Sequence, residues 1–280
     1  MSARLADVSA HIQSVQQISA VVGAMRGLAG ARAQKGRVLL PAIRAYAEVS
    51  GKALARLLTE QSETAPRPAA AKPTLLVFGA QQGFAGAFAD QVLDAATARM
   101  AQSYVMMAGA RSAALARQRG LTLDWLTNMP DRPASVAAMA STLVDALYAH
   151  ITASGSAEVN MIVPIWHAEH GAAITERPLL PLDRSRFQLT GPKSDPPLRT
   201  LPAPLLVARL AEEYVFAQVC EAAMEAYVAE NQARVQAMVA AKMHIEGQLK
   251  SLDRLAHQVR QDEITDEVIE LAAARHKHSS

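Results

Sequence analysis

From Val207 to about Ala274 the chain carries no proline and repeats its apolar residues in sevens. One column reads Leu210, Ala217, Met224, Asn231, Met238, Ile245, Leu252 and Val259, and the other Val207, Tyr214, Glu221, Val228, Val235, Lys242, Leu249 and Ala256. The columns interleave at alternating spacings of 3 and 4, which keeps one stripe of a helix turned toward a partner helix along its whole length. Nearly seventy residues at about 1.5 Å each make a rod of roughly 100 Å, several times the radius of any domain such a chain builds, so the rod is expected to protrude. Glu221, Asn231 and Lys242 interrupt the seam. In a core helix or plain coiled coil, such residues fix register.

The rod needs a partner, and the other end of the chain supplies one. Leu5, Val8, Ile12, Val15, Ile18, Val22, Met25 and Ala29 step by threes and fours, so residues 1–63 read as a second long helix and the two form an antiparallel pair. Pro41 is expected to kink or break it, since proline inside a helix costs about 3 kcal/mol unless tertiary contacts compensate. Pro66, Pro68 and Pro73 then mark a linker and a boundary. Between residues 74 and 176 short apolar runs alternate with helical patterns: Thr74 to Phe78, Tyr104 to Ala108, Leu121 to Leu126 and Val159 to Trp166, with Ala172 to Thr175 as a hairpin partner. Strand and helix in alternation predict a small parallel sheet covered by helices. Residues 177–206, rich in proline, read as an extended connection into the helix of 207–274. The predicted fold class is therefore α/β: a long antiparallel coiled coil of terminal helices plus a small Rossmann-like α/β domain.

Composition narrows the function classes. Half the residues are apolar and the net charge is +2, a balance that gives no support to nucleic acid as a partner. Cys220 stands alone, so no intramolecular disulfide framework exists, and it is expected to be a small core residue. No apolar signal core follows Met1, and a cytosolic or peripheral membrane protein is expected.

Candidate chemistry is sparse. Gly79, Gly83 and Gly86 lie between a predicted strand and helix, where a phosphate loop belongs, but they miss the G-x-G-x-x-G spacing and lack a Gly-Lys-Ser/Thr ending. A tight turn accounts for them without a ligand. His167 and His170 have no third metal ligand in view, and His276 and His278 belong to a solvated end. With no nucleophile elbow, paired-carboxylate motif or cysteine cluster, neither a cofactor nor a metal is expected, and the chain reads as non-catalytic. The run from Arg260 to Glu270 mixes charges with an apolar stripe of Ile264 and Val268. It is either a solvated face or a tip gripped by partners.

Larger segments match a known family. Glu230-Asn-Gln-Ala-Arg234 through Ala241, and then Arg260-Gln261 with Ile264, Thr265, Glu267 and Glu270, resemble the closing helix of the gamma subunit of F-type rotary ATP synthases. Ile12, Ser14, Val15 and Gln16 followed by Ala24, Met25 and Ala29 resemble its opening helix, and Gly83-Phe-Ala-Gly86 falls where that family has its glycine turn.

The resemblance implies a central-stalk rotor subunit that couples ion translocation to ATP synthesis or hydrolysis. Its coiled coil passes into a ring of alpha and beta subunits, and its α/β foot stands with the epsilon subunit on the membrane rotor ring, at the cytoplasmic face of a membrane. Carried over by motif, Arg260 and Gln261 contact a catch loop of a beta subunit, with Thr265, Glu267 and Glu270 further along the same helix. Met25 and Arg26 fall in the coupling region, and Arg32 and Lys35 face acidic beta loops. The chain departs from the family at Gln81-Gln82, where Asp-Arg is usual, at Ala20 and Gly23, where lysines stand, and at Arg26 and Pro41. A divergent paralogue, such as the gamma of a sodium-pumping N-type ATPase, accounts for such departures. The competing readings are a free-standing coiled-coil scaffold with an α/β head, and a ligand-binding α/β enzyme with helical arms.

Overall fold

The structure is a computed structural model that describes residues 3–60, 72–156, 158–182 and 200–277, with side chains from Arg4 to Leu57 in the first helix and up to Ile269 in the last. Most of the expected linker at 62–73 and of the proline-rich connection lies outside the described residues, as does His278. The elements are α1 (Ala3–Glu60), β1 (Thr74–Phe78), α2 (Phe88–Met100), β2 (Tyr104–Ala108), α3 (Ala110–Gln118), β3 (Trp125–Thr127), a short 3-10 turn at Pro133–Ser135, α4 (Val136–Ser154), β4 (Val159–His167), β5 (Gly171–Leu180) and α5 (Ala203–Lys277). The terminal helices contain 58 and 75 residues, as the long apolar periodicities predict.

The chain divides into two compact units. The larger, residues 29–234, holds the sheet in the order β3-β2-β1-β4-β5, with β1 parallel to β2 and β4, β2 parallel to β3, and β5 antiparallel to β4. Strand alternation sorts its side chains into two cores. Leu76, Phe78, Met106, Met161 and Val163 meet α4 and α5 through Leu143, Leu147, Val219 and Met224. Leu75, Val77, Val105, Met107 and Ile162 meet α2 and α3 through Val92, Leu93, Ala113 and Ala116. Helices thus cover both faces, which is why the central strands read as unbroken apolar runs. Cys220 is buried on the α5 side, among these core residues.

Within this unit α1 and α5 run antiparallel. A Cβ on Gly36 of α1 would lie 2.6 Å from the Val228 side chain of α5, while Arg44, two turns later, pairs with Glu221 and Glu225, which precede Val228. The helices approach closely because α1 is small where it meets Met224, Tyr227 and Val228, with a buried Gly36 there and a buried Ala33 one turn before it. The smaller unit comprises residues 1–28 and 235–280. Among its described residues the buried apolar ones are Leu5 and Val15 of α1 and Met238, Ile245 and Val259 of α5, the last three all from one heptad column.

Three expectations need correction. α1 runs through Pro41 without a break, because Leu40 and Ile43 on either side pack on the core and Arg44 is tied to α5. β5 continues to Leu180 through Pro178. It is an edge strand, where a missing N–H costs no ladder bond on the solvent side. The last helix begins at Ala203 and takes in Pro204, a residue whose fixed φ suits the first helical turn.

Candidate functional site

The parallel strands end along one crest, where a fold of this type usually takes its ligands. β1 leads into the turn 79–86 and then α2. Close backbone crossing explains the first glycine of the turn. The Gly79 N–H donates to the Ala108 carbonyl at 2.8 Å, and a Cβ there would stand 2.5 Å from the Ser112 Cβ. Gly109, at φ 125°, lies against the Gly79 carbonyl. The Ser112 hydroxyl, wholly buried, accepts the Ala80 N–H at 2.8 Å.

The rest of the crest is filled by the chain itself. The Glu230 carboxylate of α5 accepts the backbone N–H groups of Gln81 and Gln82 at 3.0 and 2.9 Å. Arg234, one helical turn on, pairs with that carboxylate and donates to the carbonyls of Gln82 and Gly83 at 3.2 and 3.1 Å. Asn231 completes the group, accepting from Arg234 and donating to the Tyr227 carbonyl. The side chains of Glu230 and Arg234 are 5% and 6% exposed, so charge is balanced and donors are matched in a site closed to water, as a buried ion pair requires. The Gln81 side chain accepts from the N–H groups of Ala110 and Met129 and donates to Asn128, while Gln82 donates to Asp131. Two backbone N–H groups beside a helix start form an anion seat in nucleotide-binding folds. Here a carboxylate of the same chain sits in it.

The turn leaves one large apolar side chain exposed. Phe84 is 69% exposed and adopts φ 62°, the left-handed region that residues other than glycine enter only when their surroundings hold them there.

A second buried carboxylate ties three elements. Glu225, 2% exposed, takes Arg44 of α1 on one oxygen at 2.6 Å, and Arg177 of β5 lies 2.8 Å from the other without hydrogen-bond alignment. The bond to Glu225 holds the Arg44 guanidinium above its ordinary value, against the opposing effect of partial burial.

The residues singled out by motif fall in both units. In the smaller one, Arg260, Gln261, Thr265 and Glu267 are exposed on α5, with the Thr265 hydroxyl donating to the Gln261 carbonyl at 2.8 Å. Ile264, Val268 and Ile269 stand exposed among them. Glu270 lies in the helix, and its side chain falls outside those described. Met25 is half-buried and Arg26 exposed on α1. In the larger unit Lys35 is exposed, and Arg32, half-buried, donates to the Gln82 side chain at 3.3 Å. His167 and His170 are exposed around the β4–β5 turn, and no cluster able to hold a metal occurs among the described residues. The Glu230–Arg234 anchor was not among the predicted site residues. The signal for it was the polar Asn231 at a position of the apolar seam, with Glu230 and Arg234 on either side of it.

A family model described as ATP synthase matches residues 4–276, nearly the whole chain. The chain belongs to the ATP synthase gamma family. The ATP synthase gamma chain of Frankia casuarinae is 25% identical over 97% of this chain and 96% of its own length. That of Renibacterium salmoninarum is 26% identical over 98% and 97%. Among solved structures, a rotor chain of the Euglena gracilis mitochondrial ATP synthase aligns with a TM-score of 0.65 at 13% identity, covering 93% of this chain and 99% of that one. A chain of the Tetrahymena thermophila central stalk and c-ring aligns at 0.53 and 18% identity, covering 79% and 99%. A gamma-family chain is a non-catalytic subunit of the ATP synthase, and its fold is that of a central stalk.

Proposed function

We propose that this gamma-family chain is the rotor shaft of a rotary ATP synthase or ATPase, standing with one end in a ring of alpha and beta subunits and with its α/β body against an epsilon subunit and the membrane rotor ring. The observation that carries this reading is the pair of long terminal helices, antiparallel where both pass through the α/β unit, with exposed Ile264, Val268 and Ile269 beside Arg260 and Gln261. A row of exposed apolar side chains flanked by charge fits a surface that neighbouring subunits cover. The complex sits peripherally on the cytoplasmic face of a membrane.

The shaft acts by population shift. Each beta subunit meets a different side of an asymmetric helix pair, and only a difference in contact free energy between its conformations biases it toward one of them. About 5.5 kcal/mol of difference moves a two-state equilibrium from mostly one form to mostly the other. Arg260 supplies five fixed donors suited to a carboxylate, and Gln261 adds an amide, so these two residues grip a beta loop while Thr265, Glu267 and Glu270 extend the contact. Met25 and Arg26 serve coupling on α1, and Lys35 faces an acidic loop, with Arg32 shared between that loop and Gln82. Co-purification of the chain with alpha and beta subunits, and stimulation of their Mg-ATPase activity, tests the reading.

A further inference from the structure

The buried carboxylate at the crest has a use beyond filling space. Arg234 is the last residue of the larger unit, and α5 continues beyond it as one helix. On that last turn, four hydrogen bonds run between α5 and the backbone of Gln81, Gln82 and Gly83. They grip the turn at its N–H groups and its carbonyls together. The next residue, Phe84, is the one held at positive φ and turned to solvent. A surface ion pair moves with its side chains, whereas this one is closed to water and attached to backbone, so α5 and the turn move together.

We propose that Glu230 is a positioning residue for coupling: its carboxylate, oriented by Arg234, occupies the anion seat after β1 and locks the 79–86 turn to α5, so that rotation of the helix is carried into the α/β body with Phe84 held outward. The inference rests on the rotor reading above. It assigns to the crest an internal anion in place of a nucleotide, and it makes the carboxylate itself, rather than the bulk of the residue, the part that matters.

The test uses the whole complex in membrane vesicles, comparing ions accumulated per ATP hydrolysed for the unaltered chain, Glu230→Ala, Glu230→Gln and Arg119→Ala. The last breaks an exposed bridge from Arg119 to Asp90 and Asp94 of α2, which makes no bond to Glu230 or Arg234. Glu230→Ala is expected to lower the ratio by about two- to thirtyfold, the range for residues that carry coupling between sites. Added formate, a free carboxylate able to enter the emptied seat, restores it. Glu230→Gln, which keeps one oxygen acceptor, falls in between, and Arg119→Ala keeps the unaltered ratio with or without formate. Unaltered ratios in both Glu230 variants, or a loss that formate leaves untouched, overturn the proposal. Should Glu230→Ala fail to assemble, Glu230→Gln decides: a lower ratio with faster amide exchange at Gln81 and Gln82 supports the lock, and unaltered values sink it. An unaltered chain that does not join alpha and beta subunits instead overturns the rotor reading itself.

Discussion

The backbone N–H of Gln82 donates to the Glu230 carboxylate at 2.9 Å across 148 positions of sequence. This bond joins the turn after the first strand to the middle of the last helix, and Arg234 closes the ring from the other side.

Removing either charge leaves the other buried alone. Arg234→Met is expected to cost about 3–5 kcal/mol of unfolding free energy. Glu230→Gln with Arg234→Met together cost less than the sum of the two single changes, because the second removes the charge that the first stranded. Urea titration of the four chains measures this. Additive costs contradict the buried pair.

Two glycines of α1 are expected to respond in opposite directions. Nothing lies within 4 Å of a Cβ built on Gly27, so Gly27→Ala raises helix propensity and stabilises by up to about 1 kcal/mol. At Gly36 the same methyl meets Val228 at 2.6 Å and Tyr227 at 3.3 Å. Overpacking of about 1–3 kcal/mol outweighs the propensity gain there. Thermal melts of the two variants, one shifted up and one down, check the close approach of α1 and α5.

How much of this was legible in the sequence follows from the range over which each signal acts. The heptad columns and the apolar runs are local periodicities, so both terminal helices and the central strands could be read directly. Strand–helix alternation predicts the parallel sheet and its helical cover, but the order β3-β2-β1-β4-β5 rests on long-range pairing that local pattern does not carry. At Pro41 and Pro178 tertiary context decides: packing of Leu40 and Ile43 and the tie from Arg44 to α5 offset the bond lost to the Arg37 carbonyl, and Pro178 stands on an edge strand. The crest was half legible. The turn's lack of catalytic groups pointed away from nucleotide chemistry, but the carboxylate that fills the seat lies on α5, and Asn231 was read as a register device in the seam. A polar Asn231 in an apolar column, flanked by Glu230 and Arg234 one helical turn apart, was the available sign.

Alkaline pH should weaken the larger unit. Burial, reinforced by Glu212, raises the Tyr148 hydroxyl from its ordinary 10 to about 12. Burial, reinforced by Glu213, raises the Cys220 thiol from 9 to about 11. Both groups are neutral when protonated, and their folded values lie above their unfolded ones. Their contribution is therefore fully present below pH 9 and is lost as pH rises through 9 to 12, because the unfolded chain releases these protons first. Melting temperature measured over that range should fall, and Tyr148→Phe should flatten the part of the fall above pH 10. The native thiol should also stay unreactive toward alkylating reagents at pH 8, where the free thiolate, not the buried thiol, is the nucleophile.

The central claim is that the chain is a shaft whose α5 tip grips the catalytic ring. It is tested most directly by the Mg-ATPase activity of purified alpha and beta subunits from the same source, alone, with this chain, and with the chain carrying Arg260→Ala and Gln261→Ala. The account predicts co-purification and a rise in activity with the unaltered chain, reduced by the double change while the larger unit still folds. Activity that is the same with and without the chain, and no association with the ring, would contradict it.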